Sequence, residues 1–120
     1  MKKAISLLMT AVLFAAFNIS AMGKSISVGY VLVGPKNDGG WSMRHHQGFQ
    51  SLTKHGYKVS MVEMVPEAES TKVFLKLARK HDIVFATSFG YMDPMVKAAS
   101  KAPDTTVSYT HLTLPTIYSV

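Results

Sequence analysis

The sequence contains no cysteine, which excludes a disulfide framework, thiol catalysis and a lipid-attachment cysteine behind a leader. Carboxylates are scarce. Seven acidic residues face 13 basic ones, a formal charge of +6, yet the basic residues are scattered, without the stripe or interleaved aromatics of a nucleic-acid binder. Long apolar runs are nearly missing: only Ala4 to Phe17 qualifies, and it is shorter than the ~20 residues that span a bilayer. Several chemistries lack their signatures. No Gly-Lys-Ser/Thr follows the glycine-bearing loop at 34–40, no G-x-G-x-x-G opens a helix, and no serine sits in a G-x-S-x-G elbow. The five histidines form no i, i+4 pair, so neither a metal site nor a cofactor is implied.

What is present begins with a leader. Lys2-Lys3, the apolar run and the small residues Asn18-Ile19-Ser20-Ala21-Met22-Gly23 follow the n-, h- and c-region order of a secretory signal peptide, residues 1–23, with cleavage after Ala21 or Gly23. Its loss leaves 11 basic against 7 acidic residues, a formal +4, and a chain long enough for one domain of modest core.

The stretch Val28 to Gly48 organises the rest. An apolar, β-branched run ends at Gly34-Pro35; the segment Lys36-Asn37-Asp38-Gly39-Gly40 suits tight turns; an apolar stripe Trp41, His45, Gly48, Phe49, Leu52 predicts a helix from Trp41 to Lys54, stopped by Gly56. A second strand is expected over Tyr57 to Val65 and a second helix over Glu67 to Lys80, with Val73, Phe74, Leu77 and Ala78 as its buried stripe. Asp82 to Ala86 reads as a third strand, Thr87 to Met92 as its loop, and Asp93-Pro94 as a cap opening a third helix that runs to about Lys101. This alternation predicts an α/β fold, a parallel sheet with helices on both faces, in a domain over 24–107. Residues 108–120, SYTHLTLPTIYSV, carry no charge and read as a non-native tail of the kind produced by translating through a sequencing adaptor, expected to add nothing to the fold. A natural edge strand is the alternative, because Thr, Ile and Tyr favour strands.

The loop after the first strand is the natural ligand position. Helix-start N–H groups and the Asp38 carboxylate could hold polar ligand atoms, and Trp41 could offer a face to a planar ring or simply pack on the sheet. Asp38 and Asp93 could also face one cleft, though Asp93 reads better as a cap. A different class of function is a small secreted α/β enzyme acting on a nucleoside-like metabolite with Asp38 and His45 as acid and base.

Five motifs in order, VGYVLVGP, DGGW, HHQG, VPE and TSFGYMDP, resemble the basic membrane protein family, substrate-binding proteins of ABC transporters. His46 departs from it, standing where many members carry an acidic residue. The resemblance implies the N-terminal lobe of a type I periplasmic-binding-protein fold, with a purine base or nucleoside enclosed between two lobes. It implies no enzymatic activity, a periplasmic location and an ABC permease of the inner membrane as partner. On that pattern Asp38, Gly39, Gly40, Trp41 and Ser42 contact the ligand, with Trp41 stacking on the base. Ser88, Phe89, Gly90 and Tyr91 line the same cleft.

Overall fold

The computed structural model describes residues 23–109 and 112–114, so all of the expected leader but Gly23 lies outside the described residues. Strand β1 (Ser27–Val31) is followed by helix α1 (Trp41–Lys54), β2 (Lys58–Val62), α2 (Glu67–Ala78) and β3 (Ile83–Ala86). A 3₁₀ turn (Phe89–Tyr91), α3 (Met92–Ser100), β4 (Thr106–Tyr109) and β5 (Leu112–Leu114) complete the order. The sheet runs β2-β1-β3-β4-β5; its first four strands are parallel and β5 is antiparallel to β4.

The two faces of the sheet are covered unequally. Val31, Val84, Ala86, Val107 and Tyr109 meet Phe74, Leu77 and Ala78 of α2, Tyr91, and Met95 and Ala98 of α3 in one continuous core. On the other face α1 is held by an aromatic stack: Phe49 lies on Tyr30 with ring centroids 4.1 Å apart and against Phe85 at 5.1 Å. Helices on both faces follow from the strand order, because the right-handed crossovers from β1 to β2 and from β2 to β3 run in opposite directions along the sheet and deposit their helices on opposite sides. The direction changes between β1 and β3. That is the topological switch point where open α/β sheets leave a crevice at the strand ends.

Local chemistry sets the boundaries. Gly56, at φ 86°, ends α1 in a Schellman turn: its N–H bonds the Thr53 carbonyl, and the Tyr57 N–H bonds that of Leu52. Strand β2 is shorter than expected and only half buried, because among the described residues it is the edge of the sheet. Helix α2 ends at Ala78, two residues early, leaving Arg79 as its C-cap. Asp93 is not the N-cap of α3. The 3₁₀ turn leads directly into the helix, Tyr91 takes the cap position and Asp93 falls in the first turn. Pro94 still fits there, since the first-turn N–H groups have no intrahelical partner.

The expectation that order stops at Val107 is corrected by Ser108 and Tyr109, which continue β4 alongside Phe85 and Ala86. Tyr109 is buried in the main core and its hydroxyl donates to Met92 Sδ at 3.2 Å. The uncharged, β-prone composition of this stretch lets it pair, and residues 112–114 add an antiparallel edge.

Candidate ligand site at the strand ends

Leaving β1, the chain makes the 34–40 loop, and Asp38 closes it. The Asp38 carboxylate accepts the backbone N–H groups of Gly40 at 2.9 Å and of Ser42 and Met43 at 3.0 Å. Those three bonds, Met43 and Gly40 foremost, pull its pKa down to about 2. The first-turn N–H groups of Ser42 and Met43 are therefore not open to a ligand. Gly39 supplies φ 73° in the turn, a conformation that a β-carbon would strain. Gly40 is the N-cap residue of α1.

Ser42 is fully buried, and its Oγ accepts the Gly34 N–H at 3.3 Å. It fastens the loop to α1 and does not face a cleft. A β-carbon on Gly34 would meet this Oγ at 3.1 Å, a tight contact that would press on the Ser42 hydroxyl. Trp41 is 46% exposed. Its indole Nε1 donates to the Thr87 carbonyl, and His45 leans on its ring at a centroid distance of 4.6 Å. Trp41 is thus fixed along one edge and open on part of its surface.

The loop after β3 is divided between surface and core. Thr87 is buried and its hydroxyl donates to the Val31 carbonyl at 2.8 Å, tying the loop back to β1. Ser88 is half-buried, and Phe89 is 70% exposed. Tyr91 has no exposed surface: it meets Phe74 edge to face at 5.2 Å and donates its hydroxyl to the Val65 carbonyl. Burial, with the nearby Glu67 charge adding to it, pushes its pKa up to about 12. Tyr91 is a core residue because the 3₁₀ turn swings it inward as Phe89 swings out, which corrects its assignment to the cleft lining. Gly90 lies under the Glu67 carboxyl group, which occupies the space that any side chain there would need.

The geometry therefore brings Asp38, Gly39, Gly40, Trp41, Ser88, Phe89 and Gly90 to one rim and turns Ser42 and Tyr91 inward. Three further residues of the rim were not singled out from the sequence. Glu63 accepts the Lys36 N–H at 2.7 Å, joining the loops after β1 and β2. Met64, 66% exposed, has φ 58°, the single non-glycine in the left-handed region among the described residues. Such backbone strain tends to concentrate at functional loops. Thr87 receives the indole. Glu63 and Met64 stand in no motif, Thr87 only opens the TSFGYMDP motif, and the roles of all three depend on contacts between separate loops.

The acid–base pairing of Asp38 with His45 has no geometric support. The Asp38 carboxylate is spent on its own helix start, while the His45 Nδ1–H donates to the Trp41 carbonyl at 2.9 Å. His46, the departure noted above, shares a 2.7 Å hydrogen bond with the buried Tyr30 hydroxyl. It serves the packing of α1 on the sheet.

No protein-family model matches the chain. It is 39% identical over 95 residues to a purine-binding protein of Brucella abortus, covering 75% of this chain and 27% of that protein. To a putative ABC transporter glucose-binding protein of Haloferax volcanii it is 33% identical over 86 residues, covering 69% and 22%. The chain thus spans about a quarter of the length of these curated relatives. Its fold superposes on an ABC transporter solute-binding protein from Conexibacter woesei with a TM-score of 0.65 at 20% identity, covering 69% of this chain and 28% of that one. By sequence and by fold, over the stretch that forms one α/β unit, the chain belongs with the solute-binding proteins of ABC transporters.

Proposed function

We propose that the chain is the N-terminal lobe of a periplasmic binding protein of the basic membrane protein type, which captures a purine base or nucleoside between two lobes and delivers it to an ABC permease. Hinge closure around the ligand would create the surface that the permease reads. The observation that carries this reading is the half-exposed Trp41 ring, pinned by its Nε1 at the switch point and next in space to a loop that presents Phe89. Such a ring stacks on planar bases; elsewhere such stacking contributes ~1–3 kcal/mol per base. The printed name of the Brucella relative, a purine-binding protein, agrees with a base as ligand.

Electrostatics favour an unphosphorylated ligand. Helix N-termini commonly hold phosphate, but here Asp38 fills that of α1, Glu67 and Glu69 lie in the first turn of α2, and Asp93 lies in that of α3. A binding role without chemistry also fits a rim whose carboxylate of lowered pKa is fully engaged.

The test is a titration of the full-length binding protein, both lobes included, with adenine, adenosine, guanosine and glucose, read by calorimetry. Saturable binding of a purine, weakened roughly 5- to 150-fold by Trp41→Ala in a folded protein, is the expected result. Unchanged affinity in folded Trp41→Ala rejects the stacking role, and preference for glucose rejects the purine assignment.

A further inference from the structure

The charges of this chain are sorted by end. Because β1 to β4 are parallel, their starts share one end of the molecule with the C-termini of α1, α2 and α3. That end carries Lys24, Lys54, Lys58, Lys76, Arg79, Lys80, Lys97 and Lys101, all exposed, against only Asp82 and Asp104. The other bases after the leader, Lys36, Arg44 and Lys72, stand against five acids, so this end carries +6 and the opposite end −2 of the formal +4. Of its two acids, Asp82 is already engaged, accepting Lys24 Nζ at 2.8 Å together with the N–H and hydroxyl of Ser27.

Compensation of helix dipoles explains bases beside helix C-termini, but not Lys24 and Lys58, which flank strand starts. The end is also knit into a single surface. The Ser25 hydroxyl donates to the Gly56 carbonyl at 3.1 Å, the Lys58 N–H to Ile26, and the Thr105 hydroxyl to Ala78 at 2.7 Å. A second observation comes from the sequence: the apolar run Ala4 to Phe17 joins the fold at Gly23 and Lys24, at this same end.

We propose that the basic end opposite the ligand rim docks on an anionic phospholipid surface. Each Lys or Arg close to such a surface adds roughly fivefold to binding. An apolar segment combined with a polybasic patch holds far better than either alone. While the leader is attached, its apolar run directly precedes this end in the sequence. Once it is removed, the patch alone gives weak, salt-sensitive contact that keeps the ligand rim turned away from the lipid. This inference does not depend on which ligand the rim takes.

The test is co-sedimentation of the full chain with vesicles of phosphatidylcholine alone and of phosphatidylcholine mixed with phosphatidylglycerol. Binding through the apolar run is common to both, and Lys2 and Lys3 of the leader stay constant across the variants, so the change on substitution reports the basic end. The expected result is a preference for the anionic vesicles that high salt abolishes and that Lys54→Glu/Lys58→Glu/Lys101→Glu lowers by at least about tenfold. The variant Lys36→Glu/Arg44→Glu/Lys72→Glu, with the same net charge but away from this end, should keep most of it. Circular dichroism confirms folding of each, and Lys54→Gln/Lys58→Gln/Lys101→Gln carries the test if the Glu variant unfolds. Equal losses in the two variants, no preference for anionic vesicles, or binding to DNA without binding to vesicles would overturn the proposal.

Discussion

The indole Nε1 of Trp41 donates to the main-chain carbonyl of Thr87, so one bond joins the loop leaving β1 to the loop leaving β3 where the sheet changes direction. Trp41→Phe keeps a ring and deletes the donor, leaving the carbonyl of a buried residue without its partner. The expected cost is ~1 kcal/mol in urea denaturation. A loss near the ~3–5 kcal/mol of a core aromatic deletion would instead mark Trp41 as a packing residue.

Acid should loosen the start of α1. The folded-state pKa of Asp38 lies at about 2, below its ordinary value of 3.8. Its contribution is therefore complete above pH 3.8 and is lost as pH falls towards 2. Asp82, held low by Lys24 and Ser27, acts in the same direction. Denaturation midpoints followed downward from neutral pH should fall in this window, and Asp38→Asn should flatten the fall. An identical profile in that variant would show that other carboxylates govern acid stability.

Tyr91 titrates in the opposite sense. Burial raises its pKa from 10.0 to about 12, so its contribution is whole below pH 10 and disappears as pH climbs to 12. Tyr91→Phe removes the hydroxyl that Val65 accepts and should cost ~1 kcal/mol at neutral pH, while steepening nothing at high pH. Absorbance titration should show one phenol fewer among those ionising late; no change would mean that the hydroxyl is exposed.

The third boundary to test is the end of β4. Tyr109→Ala should cost ~3 kcal/mol by opening a cavity against α3 and β3, and truncation after Val107 should be at least as damaging. A chain cut after Val107 that melts like the original would restore the view that nothing beyond it matters to the fold.

Strand, helix and strand again were legible from 27 to 100 because each element carried its own period and its own stop: Pro35 after β1, Gly56 after α1. The site was legible as a place, since a glycine-bearing loop after a buried strand marks a strand-end crevice, but not in its detail. Tyr91 and Phe89 are two residues apart in one loop, and only the 3₁₀ turn decides that one is core and the other surface. Asp38 reads equally well as a ligand acceptor or a helix anchor until the three N–H groups are placed around it. Lys36 with Glu63, and Trp41 with Thr87, meet across 27 and 46 residues, a separation that local pattern does not encode. Tyr109 was missed because its segment lacks the charges that frame the other elements.

The antiparallel pairing of β5 with β4 also has a topological consequence. A sheet edge offers a single seat. Residues 112–114 occupy the outer side of β4, and that side is where a fifth parallel strand arriving by a helical crossover would have to lie. The two arrangements exclude each other, so a polypeptide extending the parallel order must first peel β5 away, and residues 112–114 act as a stopper on sheet growth.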